Sequence, residues 1–287
     1  MNDNTIGLCA GGGQFPFLVA RNARSAGKRV VACGFIGHTD PSLSEFVDVF
    51  QIFNIGQFGK ALNFLKSNGV TRLCMAGHIS KPKLMDLRPD KTALKFLFTL
   101  HNNRGDDALL RSVIDFLKEN GIEVLSTADL VPEIRCPKGV LGKVKPNAEM
   151  HAAFEFGWPR LAITGRLDIG QCMVVHDGIV VALECMEGTD ATLKRAGDMG
   201  IDGCIAIKMA KPSQERRVDL PSVGLTTMQV LAECKYSGII LQAGQTLFFD
   251  RDAAIEVANK NGICVWAVSD DDIASIPRLP QSILYEN

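Results

Sequence analysis

Ile6-Gly-Leu-Cys-Ala10-Gly11-Gly12-Gly13-Gln14-Phe15-Pro16 sets a short apolar run against three glycines, and a helical pattern follows from about Pro16 to Ala26. A buried strand running straight into glycines and a helix is the opening of a βα unit, and the next hundred residues repeat that alternation. Lys28 to Phe35 and Val47 to Asn54 read as strands, Gln57 to Asn68 as a helix stopped by Gly69, and Arg72 to Ala76 as a fourth, buried strand. Lys91 to Leu100 reads as an unusually apolar helix, with Phe96, Leu97, Phe98 and Leu100 close together. Asp106 to Glu119 is a helix ended by Asn120-Gly121, and Ile122 to Ser126 is a strand. The expected fold class is α/β: a Rossmann-like open parallel sheet covered by helices, followed by a second, distinct α/β domain.

The pattern changes near Pro132, so residues 1–132 are expected to form the first domain and 133–287 the catalytic second one. Residues 133–159 carry Pro137, Gly139, Gly142, Pro146 and Gly157 and read as a connection with one helix, Ala148 to Phe156. Gly170 to Val175 and Ile179 to Met186 flank His176-Asp177-Gly178, a turn sequence suited to a hairpin. Thr189 to Met199 then reads as a helix and Cys204 to Lys208 as a buried strand. Helix Thr226 to Cys234, strands Gly238 to Leu241 and Thr246 to Phe249, helix Arg251 to Asn261 and strand Ile263 to Val268 complete the half.

With 287 residues there is room for two domains, and 46% hydrophobic with 22% charged residues is the make-up of a soluble globular chain. A formal net charge of -1 gives no global attraction to nucleic acid, so no nucleic-acid partner is expected and any basic site must be local. No run approaches the roughly 18 apolar residues of a membrane span, and the N-terminus lacks the basic region of a secretory signal. The nine cysteines show no Cys-x-x-Cys, the nearest pair in sequence being Cys172 and Cys185. Buried thiols in a reducing cytoplasm are the expectation.

Glycines between a strand and a helix let backbone approach a ligand closely, and the free amides of the helix start favour an anion. Gly11, Gly12, Gly13 and Gln14 are therefore candidates for contact with a phosphate or ribose, a tight turn being the alternative. As a dinucleotide fingerprint the run is incomplete, because Pro16 stands where the third glycine belongs and no acid ends the second strand. Gly77 and His78 follow the strand Arg72 to Ala76 on the same side of the sheet and are a second candidate contact; Arg104-Gly105-Asp106-Asp107 opens a helix, where capping accounts for the acids.

The other concentration of chemistry lies in the second half. Lys208-Met-Ala-Lys211-Pro212-Ser-Gln214-Glu215-Arg216-Arg217-Val-Asp219-Leu-Pro221 leaves a buried strand carrying four cations, two acids and two prolines, with no strand or helix period. A solvated loop has such a composition too, but Asp219 between Val218 and Leu220 is an odd place for a surface carboxylate. Glu184 and Glu187 bracket a strand end, and Thr189-Asp190 opens a helix, where either could be an N-cap. If strands Ile179 to Met186 and Cys204 to Lys208 are neighbours, Glu187, Asp190, Lys208, Lys211 and Asp219 gather at one edge. Carboxylates beside lysine and arginine suit hydrolysis of a phosphoric anhydride: the acids can hold a hard divalent cation, and the cations neutralise charge on the phosphate.

Gly11-Gly12-Gly13 with Pro16, Leu167-Asp168-Ile-Gly170-Gln171, Glu184-Cys-Met-Glu187-Gly188-Thr189-Asp190 and Lys211-Pro212-Ser-Gln214-Glu-Arg216-Arg-Val-Asp219-Leu-Pro221 together resemble the motifs of LpxI-type UDP-2,3-diacylglucosamine pyrophosphatases. They occur in the same order along nearly the whole chain. The resemblance implies a magnesium-dependent, two-domain enzyme that holds its substrate between the domains and releases UMP and 2,3-diacylglucosamine 1-phosphate in lipid A biosynthesis. It implies that Asp219 is the essential aspartate. Combined with the residue reading, Asp219, Lys208, Lys211 and Arg216 are the expected catalytic groups, and Asp219 with Glu187 or Asp190 the expected Mg2+ ligands. Asp168, Gln171 and Thr189 join the glycine loop, Gly77 and His78 as expected substrate contacts. A lipid-linked nucleotide-sugar substrate implies a cytoplasmic protein peripheral to the inner membrane, and a homodimer is compatible with this reading. The competing expectations are a nucleotide-sugar or NAD-binding oxidoreductase, and a lipid or nucleotide carrier without catalysis.

Overall fold

A computed structural model describes residues 4–79, 89–94, 106–212 and 214–277, with backbone alone at 106–108. The contacts divide the chain into two units, one of residues 1–132 with Glu215–Asp219, the other of 133–214 with 220–287. The expected helix stretch Phe96 to Leu100 and the Arg104-Gly105 start lie outside the described residues.

In the first unit β1 (Thr5–Ala10), β2 (Arg29–Phe35), β3 (Val49–Phe53), β4 (Arg72–Ala76) and β5 (Glu123–Val124) form one parallel sheet in the order β3-β2-β1-β4-β5. Helices α1 (Phe15–Ser25), α2 (Phe58–Ser67) and α3 (Asp106–Glu119) lie between strands, and α4 (Thr127–Leu130) follows β5. The middle strands are apolar on both faces because helices cover both, and Leu8, Val30, Val31 and Leu73 are buried. Each such large side chain contributes about 1.5–3 kcal/mol. The order reverses between β1 and β4. The carboxyl ends of the strands at such a switch point are where open α/β sheets hold ligands.

The second unit has a mixed sheet in the order β6-β13-β11-β9-β7-β8, built from β6 (Gly139–Val140), β7 (Cys172–His176), β8 (Ile179–Leu183), β9 (Ile205–Lys208), β11 (Gly238–Gln242) and β13 (Cys264–Val268). β9, β11 and β13 are parallel, while β6, β7 and β8 run against their neighbours. β10 (Ser222–Val223) and β12 (Leu247–Phe248) form a separate parallel pair. The Asp-Gly hairpin joins β7 to β8, with Asp177 at φ 45° and Gly178 at φ 71°. One expectation is overturned: β8 is not a neighbour of β9, because β7 returns between them and pairs with both.

Helix α5 (Ala148–Arg166) is longer than the sequence suggests, running on past Gly157 and Pro159. Its buried face, Met150, Ala153, Phe154, Gly157, Trp158, Leu161 and Gly165, keeps helical spacing through the proline. A proline in a helix costs about 3 kcal/mol, which burial of Phe154, Trp158 and Leu161 together outweighs. Gly157 is there for closeness: a Cβ would meet the Ile207 side chain and sit 3.0 Å from Val175 Cγ2, so the helix lies directly on β7 and β9. Three more helices, α6 (Thr189–Gly197), α7 (Leu225–Glu233) and α8 (Arg251–Lys260), and a short α9 (Asp270–Ala274) complete the unit. All nine cysteines are free, with Cys185 exposed and the others buried or half-buried. No helix among the described residues is long and apolar enough to cross a membrane.

Candidate active site

The switch point of the first unit brings two of the expected segments together. Gly12 and His78 form an isolated antiparallel bridge, with the Gly12 amide donating to the His78 carbonyl at 2.8 Å and the His78 amide to the Gly12 carbonyl at 3.2 Å. Gly11 donates to the Ala76 carbonyl at 2.7 Å. The glycines have a steric cause, since a Cβ at Gly11 would lie 2.5 Å from the His78 carbonyl oxygen and Gly77 sits at φ 85°. Thr39 locks the neighbouring strand end, its hydroxyl donating to the Ala10 carbonyl at 2.5 Å and accepting from the Phe35 amide at 2.8 Å. Pro16 falls in the first turn of α1, where a missing N–H is tolerated. Gln14 is the N-cap residue and makes no side-chain cap bond.

In the second unit the motifs read from sequence converge on one hydrogen-bonded network. Lys208 ends β9 and is only 3% exposed, and Glu184, just beyond β8, is 6% exposed. The Lys208 ammonium donates to Thr189 Oγ1 at 2.6 Å and to the Ser222 carbonyl at 2.7 Å. Thr189 in turn donates to Glu184 Oε1 at 3.1 Å, and the Gln171 amide donates to Glu184 Oε2 at 3.2 Å. Burying an unpaired ammonium or carboxylate costs several kcal/mol, and this chain of bonds is what offsets it. Opposite charges are thus one hydroxyl apart. Their joint effect is felt at Cys172, whose thiol burial pushes up to about 12, with Lys208 opposing and Glu184 and Asp190 adding to the rise.

The cationic loop is tied to the same network. Lys211 pairs with Asp168 at 2.5 Å, Gln214 Oε1 accepts from the Lys211 amide at 3.0 Å, and Gln214 Nε2 reaches Gln171 Oε1 at 3.4 Å. The Met209 amide bonds the Gln171 carbonyl at 3.1 Å and the Ala210 amide bonds Gln242 Oε1 at 3.1 Å. Gly170, at φ 58°, lies so close to the Glu184 backbone that no Cβ would fit. Asp168, Gly170 and Gln171, the second motif, therefore have structural partners in the third and fourth, a relation that spacing along the chain did not disclose.

A cleft of about 380 Å³ opens over Lys208, lined also by Thr189, Asp190, Thr226, Thr227 and Asp250. The first turns of α6 and α7 and the start of α8 contribute these residues, and none of the three helices has a side-chain cap bond. Uncapped first-turn amides and a buried ammonium give the cleft donors for an anionic group, beside the carboxylates of Asp190 and Asp250. Of the two acids, Asp190 is already engaged, its Oδ1 accepting from Thr227 at 2.9 Å. Neither Thr189 nor Asp190 is the N-cap, which is Gly188 at φ 82°. Sequence reasoning missed the part of Ser222, Thr227 and Asp250, since a backbone carbonyl and helix-start residues carry no motif of their own.

Of three further expected residues, Glu187 has partners of its own, and Asp219 and Arg216 are grouped with the first unit. Glu187 accepts from Arg195 at 2.7 Å and from Thr192 at 3.1 Å. Its own backbone amide, then Arg195, hold its carboxyl down at about 2. Asp219 and Arg216 belong by contacts to the first unit. There the Thr127 amide donates to the Arg217 carbonyl at 3.0 Å, the Asp219 amide to the Glu215 carbonyl at 2.9 Å, and Val218 packs on the apolar core. The apolar flank of Asp219 thus has a packing cause. Among the described residues no group of three or more His, Cys, Asp or Glu side chains converges as a metal cage.

Fold and site define a two-unit α/β protein with a glycine-lined switch point in one unit and an anion-accepting cleft over a buried lysine in the other. The LpxI N-terminal domain model matches residues 5–134 and the LpxI C-terminal domain model residues 137–266. The UDP-2,3-diacylglucosamine pyrophosphatase LpxI of Caulobacter vibrioides is 38% identical over 279 residues, spanning 93% of this chain and 98% of that protein. The chain belongs to the LpxI family. Among solved structures, gox2253 aligns with 89% of this chain and 97% of its own at 11% identity and a TM-score of 0.31. The biotin carboxylase subunit of pyruvate carboxylase aligns with 60% of this chain and 34% of its own at 10% identity and 0.26. Likenesses this slight carry no argument.

Proposed function

We propose that this protein hydrolyses the pyrophosphate bond of UDP-2,3-diacylglucosamine, giving UMP and 2,3-diacylglucosamine 1-phosphate for lipid A biosynthesis. Membership of the LpxI family sets the reaction class, and the observation that carries the reading is Lys208, buried at the foot of a polar cleft and held by two hydrogen bonds. Water adds its oxygen to one phosphorus, the bridging P–O bond breaks, and the departing phosphate keeps the electron pair. Lys208 offsets charge on the phosphate oxygens, in a setting of low dielectric where a fixed cation counts for most. Lys211, held against Asp168, and Arg216 are the further cations assigned to this task.

Mg2+ is part of the proposal. Such an ion commonly takes one or two carboxylates together with substrate phosphates, so it needs no all-protein cage. Asp219 is the carboxylate assigned to it, with Asp190 as the second; Glu187 is the weaker choice because Arg195 already occupies it. When bound, the ion would polarise the phosphate and supply a reactive water. The glycine loop at Gly11–Gly13 with Gln14, Gly77 and His78 is assigned to the nucleotide or sugar-phosphate portion. A diacyl substrate places the working enzyme at the membrane surface.

The test follows products from labelled UDP-2,3-diacylglucosamine with the wild type and Asp219→Ala, after EDTA and after Mg2+ is restored. UMP and the sugar phosphate should form only with metal and Asp219, the substitution lowering turnover by about 10²- to 10³-fold or more. A folded Asp219→Ala protein with normal turnover overturns the central assignment.

A further inference from the structure

An ammonium has three donors, and two of those of Lys208 are fixed, on Thr189 Oγ1 and on the Ser222 carbonyl. Among the described residues the third has no partner, and Lys208 lines the cleft. The Thr189 hydroxyl has one proton, and because its oxygen already accepts from Lys208 at 2.6 Å, that proton is the one given to Glu184 Oε1 at 3.1 Å. Glu184 cannot turn away, since its other oxygen takes the Gln171 amide and its backbone amide donates to the Cys172 carbonyl at 2.9 Å. Gly170 packs against the Glu184 backbone.

We propose that Glu184 and Thr189 are positioning residues for Lys208, a relay that fixes the ammonium so that its remaining N–H points at the phosphate in the cleft. Glu184 sets the direction of the Thr189 hydroxyl, and the hydroxyl sets the ammonium. Glu184 is not among the residues lining the cleft, and the Thr189 hydroxyl is committed to Lys208 and Glu184. A flexible four-carbon lysine stem without this relay would spread the charge over several rotamers, and a misplacement of about 1 Å can lower a rate by about 10²-fold. The proposal rests on the hydrolase reading above for its catalytic consequence, while the fixing of the ammonium is a property of the fold.

The experiment has two arms on the full chain. In the first, turnover of UDP-2,3-diacylglucosamine is measured for wild type, Lys208→Met, Thr189→Val, Thr189→Ser and Glu184→Gln, with thermal unfolding as the check on folding. Thr189→Val and Glu184→Gln should lower kcat by about 10- to 100-fold with KM within about threefold, and Thr189→Ser should recover most of what Thr189→Val loses. In the second, the Lys208 ammonium is followed in ¹⁵N-labelled protein and identified by its loss in Lys208→Met. It should exchange slowly in the wild type and in Thr189→Ser, and fast in Thr189→Val. Wild-type turnover and an unchanged ammonium signal in Thr189→Val would overturn the proposal. If the wild type does not hydrolyse this substrate, the hydrolase reading fails on its own, and the ammonium signal alone decides whether the relay exists.

Discussion

Glu187 keeps its charge far into acid, because its own backbone amide and then the Arg195 guanidinium and the Thr192 hydroxyl favour the carboxylate. A carboxyl held at about 2, below its ordinary 4.5, contributes to stability fully above the ordinary value. The contribution is lost as pH falls through about 2, since protonation then removes the charge that the folded state favours. Titration of the Glu187 carboxyl carbon by NMR should show this low midpoint, and Arg195→Ala should bring it up toward the ordinary range. An unchanged midpoint in Arg195→Ala would mean that the ion pair is not the lever. The contrast with Glu184 is instructive, for both acids were visible at a strand end and the sequence weighed Glu187 as the ligand. What separates them is which carboxylate turns inward onto Thr189 and Gln171, and that depends on β7, the neighbouring strand, and on Lys208 at the end of β9, two places away in the sheet.

Strand and helix types were legible from apolar period and turn residues: β4 and α3 fall where Arg72 to Ala76 and Asp106 to Glu119 were read. Pairing was less so, since β7 is the strand between β8 and β9 and nothing in the local pattern of Cys172–His176 names its partner. Helix α5 shows the same limit, because Gly157 and Pro159 are stop signals by propensity and are overruled by the core they face. The overruling is testable at Gly157. A Cβ there meets Ile207 and Val175 at the centre of the sheet, so Gly157→Val should destabilise the protein by about 1–3 kcal/mol through overpacking. Urea unfolding measures it, and a variant as stable as wild type would show that α5 does not rest on β9 through this residue.

At the scale of the whole molecule, the chain leaves the second unit after Gln214 and rejoins it at Leu220, lending Glu215–Asp219 to the first. The motif legible in the sequence as one cationic loop is therefore two things: Lys208, Lys211 and Gln214 serve the network of the second unit, while Val218 serves the core of the first. Composition could not reveal this split, because the anchor is a single valine among charges. The anchor sits between two tryptic sites and the expected essential aspartate, Arg216 and Arg217 preceding it and Asp219 following. With Val218 packed on the apolar core of the first unit and the Arg217 carbonyl taken by the Thr127 amide, trypsin should cut here only through local opening. Val218→Asp places a carboxylate against that apolar surface and should speed cleavage after Arg216 and Arg217 by about tenfold or more, corresponding to at least about 1.4 kcal/mol of local stability. The same variant should lose turnover, since the backbone that carries Asp219 is no longer held. Cleavage at the wild-type rate would mean that the segment is fastened by its other bonds, and that Val218 is not what brings Asp219 to its place.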